Sequence, residues 1–245
     1  MYRSNKSSKK SSHFINIYLA SLLSFISYVL PTIALAENVV DDIGKPTRTQ
    51  SGATRGPCQS KDKDKPFAAL IPDKNPGLTV SEYPTFLFYL PPLQPEPNNT
   101  PQKHKAQFIL LDDKEEEIYK TQFLLSGKSG VISISLPKYT TLPPLEIGKN
   151  YSWSFAICPK ENPLMVVNGK IQRVELSANI NNQLKFAKER DRANIYKQNN
   201  IWYDALATLA NLRLSNPNDS SLKTEWEKFL NDLDLKTISQ EPLYK

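Results

Sequence analysis

The stretch Tyr151-Ser-Trp-Ser-Phe-Ala-Ile-Cys158 decides the fold class of this chain. Large apolar residues alternate in it with small or polar ones, which is the period of a β-strand that buries one face. Cys158 ends the strand on the smaller, more polar face. The side chains that share the apolar face are Tyr151, Trp153, Phe155 and Ile157.

Comparable strand patterns extend on both sides of this stretch, from Pro66 to about Leu176. The run Thr85–Leu90 is apolar on both faces and lies between prolines, as expected of a buried strand. The other predicted strands are Phe67–Ile71, Ala106–Leu111, Glu117–Leu125, Val131–Leu136, Met165–Val167 and Ile171–Leu176, with hairpin turns at 112–116 and at Asn168-Gly169. About seven or eight short strands with proline-rich connections predict an antiparallel, immunoglobulin-like β-sandwich.

The apolar period becomes helical after Leu176. A first helix is marked by Ile180, Leu184 and Ala187, and the segments Arg190–Lys197 and Trp202–Leu214 predict an antiparallel helix pair. A last helix begins near Asp219 to Ser221, whose side chains can cap it. Its apolar stripe consists of Leu222, Trp226, Phe229, Leu230 and Leu233. The fold class predicted is therefore α+β, a β-sandwich followed by a C-terminal bundle of three or four helices.

Residues 1–36 have the features of a secretory signal peptide. A basic head is followed by an apolar stretch from Phe14 to Leu30 and by the small-residue end Ala34-Leu35-Ala36. We expect cleavage before Glu37; the alternative is an uncleaved membrane anchor. The predicted domains are then the signal peptide at 1–36, an irregular arm at 37–65, the sandwich at 66–176 and a helical region at 177–245 that packs on the sandwich.

Composition excludes several classes of function. The 245 residues include only two histidines, two cysteines and eight glycines, which argues against zinc modules, iron–sulfur clusters and glycine-rich nucleotide folds. The net charge of +6 falls to +2 when the leader's four Lys/Arg residues are removed, so basicity does not predict a nucleic-acid partner. We expect no cofactor, no metal site and no membrane span after cleavage.

The two cysteines are Cys58 and Cys158. An oxidising compartment outside the cytosol favours their pairing, and a loop of that length corresponds to about 4.7 kcal/mol in the chain-entropy model. The alternative is two separate free thiols. A redox role for Cys58 is not expected, because its neighbours do not form a CxxC motif.

Several short motifs together resemble a family of exported cyanobacterial proteins, the family numbered nine-two-eight in the series of domains of unknown function. The resemblance covers nearly all of the mature chain and implies no reaction, ligand or catalytic residue. Where that family is expected to have Gly-Trp, this chain has Gly169-Lys170. The matching segments are Thr54–Gly56 with Cys58, Gly77–Thr79, Tyr83–Phe86, Phe88–Pro91, Leu145–Lys149, Tyr151–Trp153, Ile171–Val174, Ile201–Leu206 and Pro242-Leu243.

The predicted helix pair also resembles half of one tetratricopeptide repeat. No second copy follows, so we do not expect an extended peptide-binding solenoid. The residues at the spacing of the repeat's second half are Ala193, Tyr196, Trp202, Ala205, Leu209, Leu212 and Pro217.

The candidate binding residues are Arg55, Tyr203 and Asp204. Tyr203 and Asp204 lie beside the apolar stripe of their helix and are expected at the surface. Arg55, in the N-terminal arm, could meet acidic groups. By contrast, the three tryptophans lie on periodic apolar faces and are expected in the core.

No catalytic residue is predicted. His104 lies between Lys103 and Lys105 in a polar connection, so we interpret it as a solvated loop histidine. The acidic run from Asp112 to Glu117 lacks the spaced ligands and central glycine of an EF-hand, and we interpret it as a hydrated hairpin tip rather than a calcium site.

The sequence therefore favours a non-enzymatic interaction or binding protein of the cell envelope or the extracellular space, with a protein or polysaccharide of the envelope as its partner. The alternative is a hydrolase that acts on envelope polysaccharide through carboxylates such as Asp204 or Glu175. Two carboxylates that face each other in a deep aromatic cleft would favour the enzyme.

Overall fold

The structure is a computed structural model that describes residues 47–48, 60, 62, 64–72, 77–93, 104–138, 141–158 and 165–244. These residues form a mixed α+β fold with two β-sheets and four α-helices, and the four helices follow the strands in sequence. The predicted leader, Arg55 and Cys58 lie outside the described residues.

The larger sheet has six strands, and the Tyr151–Cys158 stretch supplies one of its interior strands. Across the sheet the order is β1 (Thr47–Arg48), β9 (Met165–Arg173), β8 (Asn150–Ile157), β5 (His104–Leu111) and β6 (Glu117–Leu125), with β3 (Leu78–Thr79) added to β9. The β3–β9 pair is parallel, unlike the predicted all-antiparallel arrangement. The arm at 37–65 was predicted to be irregular, but it contains β1. This short strand forms because its backbone pairs with β9.

The smaller sheet has three strands in the order β2 (Ala68–Ala69), β4 (Thr85–Leu90) and β7 (Gly130–Ser135). All of its pairings are antiparallel. The predicted strand Phe67–Ile71 contributes only two residues to it, although the whole run is buried.

Strand β4 is buried on both faces, as its sequence predicts. On one face, Phe86 and Phe88 contact Trp153 of β8, with ring centroids 5.8 and 5.5 Å apart. On the other face, Leu87 and Tyr89 belong to a core shared with the helices. The small sheet therefore lies between the large sheet and the helices, and one apolar strand serves two cores.

The predicted hairpin at Asn168-Gly169 is wrong, because β9 runs through both residues without a turn. Gly169 is directly opposite Trp153 in the β8–β9 pair, and a Cβ atom there would come within 2.4 Å of the indole Cζ2. Glycine at this position therefore makes room for a buried indole in a continuous strand rather than supplying a turn.

The predicted hairpin between β5 and β6 is confirmed. The Oδ1 atom of Asp112 accepts hydrogen bonds of 2.9 Å from the backbone amides of Lys114 and Glu116, which closes the turn. Glu115 takes a left-handed conformation with φ of 64°. The side chains of Asp113, Glu115 and Glu116 are exposed, as expected of a hairpin tip.

The four helices are α1 (Ala178–Phe186), α2 (Glu189–Gln198), α3 (Trp202–Ser215) and α4 (Ser220–Asp232), followed by a 3₁₀ turn at Lys236–Ile238. Helix α4 begins where predicted, and the carboxylate of Asp219 accepts hydrogen bonds from the amides of Ser221 and Leu222. The apolar stripes of α3 and α4 pack against each other and against β4. All three tryptophans are buried, which confirms their prediction as core residues.

Candidate functional site

Tyr203 is a core residue and not the surface residue that the sequence predicts. Its side chain is 2 % exposed, and its ring packs edge-on against Phe86 with centroids 5.3 Å apart. The phenolic oxygen accepts a hydrogen bond of 2.8 Å from Nε1 of Trp153. Burial raises the pKa of the Tyr203 hydroxyl, so this group stays neutral. The first turn of α3 is thereby joined to strand β8 through a buried polar contact.

Asp204 lies beside Tyr203 and is half-buried. Its Oδ2 atom accepts hydrogen bonds from Oγ1 of Thr79 at 2.8 Å and from the backbone amide of Val80 at 3.1 Å. Burial raises the pKa of this carboxyl to about 6, and these two hydrogen bonds oppose the rise. The carboxylate is thus committed to contacts that hold α3 to the end of β3.

A cavity of about 130 Å³ adjoins Asp204. It is smaller than the several hundred cubic ångströms of a typical small-molecule site. Glu175 is exposed after the end of β9 and is not among the residues that line this cavity. The described lining residues are Thr79, Ser81, Thr85, Tyr196, Tyr203, Asp204, Ala207, Thr208 and Asn211, so Asp204 is the one carboxylate in that set.

His104 is buried at the start of β5, so its interpretation as a solvated loop histidine is wrong. Strand β5 begins at this residue, and its pairing with β6 carries the ring into the protein. The ring Nδ1 lies 3.7 Å from Sγ of Cys158, which is also buried at the end of β8. The Cys58–Cys158 disulfide and the role of Arg55 stay predictions, since Cys58 and Arg55 lie outside the described ranges.

A groove of about 460 Å³ runs between α2 and α4. Several of its polar side chains are engaged with one another or with neighbouring residues. Nε of Arg190 is 2.6 Å from a carboxylate oxygen of Glu225, and Lys197 forms an ion pair with Asp232. The Nζ atom of Lys197 also lies 4.4 Å from the ring centroid of Phe229. These paired charges join the two helices to each other.

A second groove, of about 450 Å³, opens between the two sheets. Strand β6 is at the end of the large sheet and β7 is at the end of the small sheet, so one edge strand from each sheet borders it. Its inner wall combines aromatic residues of β6 with isoleucines of β7, and Leu124 at its rim is 55 % exposed. The described lining residues are Leu90, Tyr119, Thr121, Phe123, Leu124, Leu125, Ser126, Lys128, Ile132, Ser133, Ile134, Ser135 and Tyr244.

The C-terminal segment already uses one end of the β7 edge. The Val131 amide donates to the carbonyl of Pro242, and the Tyr244 amide donates to the carbonyl of Val131, both at 2.8 Å. Leu243 and Val131 thereby form a parallel β-bridge. A Cβ atom at Gly130 would lie 2.6 Å from the carbonyl oxygen of Pro242, so glycine permits this close approach.

The groove was not predicted from the sequence. The sequences of β6 and β7 have the pattern of ordinary half-buried strands. Only the sheet topology places both at the ends of their sheets, on either side of the groove. Two local signals were present nonetheless. Leu124 is apolar at a position that β-strand alternation places on the outer face, and Ser133 and Ser135 leave one side of β7 polar.

In the described part of the chain, no group of three or more His, Cys, Asp or Glu residues could hold a metal ion. None of the helices described is both long and apolar enough to cross a bilayer.

Comparison with known proteins identifies a family whose model covers most of the chain. A family model described as Domain of Unknown Function (DUF928) matches residues 50–243. No curated protein sequence matches the chain. Among solved structures, the fn3 domain of human collagen alpha-1(XX) chain is similar with a TM-score of 0.24 and 7 % identity, over 52 % of this chain and 93 % of that chain.

Proposed function

The chain belongs to the family described as Domain of Unknown Function (DUF928), and from that premise we propose that it is an exported, non-enzymatic interaction protein of the cell envelope or extracellular space. Export is supported by the basic head, apolar stretch and Ala-x-Ala end of residues 1–36. In the proposed domain arrangement, an arm at 37–65 precedes the sheets at 66–176 and the helices at 177–245.

The finer architecture is part of the same proposal. We assign the two sheets to an immunoglobulin-like β-sandwich, because aromatic side chains from both sheets meet in one core. The ring centroids of Phe88 and Phe155, one from each sheet, are 4.5 Å apart. Sandwiches of this class commonly present binding surfaces on a rigid scaffold and need no catalytic residues.

The groove between β6 and β7 is the observation that carries the proposal. Its volume of about 450 Å³ is large enough to admit several side chains of a partner and falls in the range of ligand pockets. Apolar side chains such as Leu124, Tyr119 and Phe123 line an opening that solvent reaches. The lining mixes these apolar side chains with polar ones, and one edge strand of each sheet borders it. Because an exposed strand edge can pair with an extended polypeptide, we favour a protein of the envelope over a polysaccharide as the partner.

A polysaccharide hydrolase is the second candidate, and one observation favours it. The pKa of Asp204 is raised to about 6, which is suited to a general acid. Glycoside hydrolysis, however, requires two carboxyl groups on either side of the scissile bond. Among the described residues that line the Asp204 cavity there is no second acid, and Thr79 and Val80 already bind the Asp204 carboxylate.

Photo-crosslinking in the native cell tests the proposed function. Benzoylphenylalanine is placed at Leu124, on the groove rim, or at Phe186, which is 82 % exposed at the end of α1. We expect a discrete protein adduct from position 124 and none from position 186. Equal adducts from both positions, or a polysaccharide adduct at 124, would contradict a protein partner at the groove. Export is checked in the same cells by fractionation and by amino-terminal sequencing, which should begin at Glu37.

A further inference from the structure

We propose that the free edge of β7 binds an extended segment of the partner protein by β-strand addition. This inference rests on the proposed function and specifies how the groove binds its partner. The segment would be extended and would present alternating apolar and polar side chains. Three features of the edge support this assignment: its backbone groups, its side chains and the C-terminal segment.

The backbone of β7 offers hydrogen-bonding groups along its outer side. In an antiparallel pair, successive residues direct their amide and carbonyl groups alternately toward and away from the partner strand. Val131 directs both groups to Pro242 and Tyr244, away from β4. The amide of Leu136, by contrast, donates to Pro84, on the β4 side. Ser133 and Ser135 share the parity of Val131, so their amides and carbonyls also point outward.

These outward groups have no partner strand within the described part of the chain. The pairings of β7 there are the ladder with β4 and the single bridge from Val131 to Leu243. Unpaired donors and acceptors on an edge strand are a template for an added strand. An extended segment beside Ser133 and Ser135 could form up to four backbone hydrogen bonds.

The side chains determine which segment would fit. Ile132 and Ile134 of β7 face the core between the sheets, whereas Ser133 and Ser135 lie on the opposite face. A strand added to this edge would continue both faces. On one face, the side chains of the added strand would cover Phe123 and Tyr119 of β6. On the other face, they would lie beside Ser133 and Ser135. Apolar and polar residues must therefore alternate in the segment that binds.

The C-terminal segment shows that this edge pairs with an extended chain. Pro242 to Tyr244 form two backbone hydrogen bonds to Val131, and Tyr244 is among the residues that line the groove. The proposed segment would continue this interface along β7, beyond Tyr244. The occupant is thus an extended polypeptide whose hydrogen bonds extend a pairing that already exists.

A proline substitution tests this mode of binding. Ser133→Pro removes the outward amide, and it leaves the β4 ladder intact because that amide is not part of it. Ser133→Ala is the matched control, since it keeps the amide and removes only the hydroxyl. The probe is an eight-residue peptide selected against the mature chain from a displayed library.

We expect selected peptides to alternate apolar and polar residues. Ser133→Pro should weaken their binding about tenfold, which is about 1.4 kcal/mol, because it removes one hydrogen bond and leaves a peptide carbonyl without its donor. Ser133→Ala should weaken binding less than about twofold, because it keeps the amide. Amide hydrogen exchange at Ser133 and Ser135 should slow when the peptide binds. Because this measurement uses the unsubstituted chain, it tests strand addition even if Ser133→Pro does not fold.

Several outcomes would overturn strand addition. These are the selection of no binding peptide, equal binding by a folded Ser133→Pro chain, unchanged exchange at the two serines, and self-association of the chain through this edge. The proposed function has a separate readout. If position 124 still crosslinks to a protein with undiminished yield in a folded Ser133→Pro chain, the groove is the binding surface but strand addition is wrong.

Discussion

The indole Nε1 of Trp153 donates a 2.8 Å hydrogen bond to the phenolic oxygen of Tyr203, which joins an interior strand of the large sheet to the first turn of α3. Both side chains are buried. A buried donor that loses its acceptor costs the free energy of its desolvation. Together with the contacts of Asp204 to Thr79 and Val80, this hydrogen bond links the packing of α3 to that of the large sheet.

Removing the acceptor should lower stability measurably. We expect Tyr203→Phe to reduce the free energy of unfolding by about 1–3 kcal/mol, because Nε1 of Trp153 would remain buried without its partner. Urea unfolding followed by tryptophan fluorescence measures the change. Tyr196→Phe is the matched control, since Tyr196 is a half-buried tyrosine of α2 outside this contact. Equal losses in the two variants would contradict the importance assigned to the Trp153–Tyr203 bond.

Gly169 should not tolerate a side chain. We expect Gly169→Ala to destabilise the protein by about 1–3 kcal/mol, because its Cβ would lie 2.4 Å from the Trp153 ring. Thermal unfolding of this variant, of Trp153→Phe and of the double variant gives the coupling between the two positions. The loss of stability caused by Gly169→Ala should be smaller when Trp153→Phe replaces the indole, which the alanine Cβ would meet, by a smaller ring. An unchanged cost would mean that the contact with Trp153 is not its cause.

Asp204 should make stability depend on pH. Its pKa rises from an ordinary 3.8 to about 6 in the folded state, mainly through burial. The folded protein therefore holds more protons than the unfolded chain between pH 4 and pH 6. Its free energy of unfolding should fall as pH rises through that window, by up to about 3 kcal/mol, and the contribution should be level above it.

Urea unfolding at several pH values, compared between variants, isolates this contribution. Asp204→Asn should abolish the part of the fall that arises from this group. Asp113→Asn, at the exposed hairpin tip, should leave the fall as it is. A pH profile that Asp204→Asn does not alter would show that the Asp204 carboxyl does not titrate in this window.

The predicted disulfide has a direct test in intact mass. The mature chain should gain two hydrogen atoms on reduction if Cys58 and Cys158 are paired. Reduction should also lower the free energy of unfolding by about 2–5 kcal/mol. A mass that reductant leaves unchanged would refute the pairing.

Local periodicity correctly predicted the strands and helices that need only an apolar layer against one face. The alternating stretch of β8 and the apolar stripe of α4 form the strand and helix expected, because burying one face requires only some apolar layer opposite. The doubly apolar pattern of β4 correctly indicated a buried strand. In each case the period of the side chains and the layer that they need are both properties of the local sequence.

The errors arose where a distant residue decides the local structure. Asn168-Gly169 reads as a turn, but Trp153 on the neighbouring strand occupies the space that glycine leaves. Tyr203 lies beside its helix's apolar stripe, yet its hydroxyl meets a buried indole of the sheet. The groove between β6 and β7 exists because these two strands are at the ends of their sheets. The strand order of a whole sheet cannot be predicted from the sequence of one strand.

The affinity of the crosslinked partner for substituted chains tests the central claim most directly. Leu124→Asp places a charge on the apolar rim of the groove, and Phe186→Asp places the same charge on an exposed aromatic position of α1. Binding of the purified partner to the mature chain should weaken at least about tenfold with Leu124→Asp and change less than about twofold with Phe186→Asp. Equal effects of the two substitutions, or a loss confined to Phe186→Asp, would contradict the groove between β6 and β7 as the interaction site.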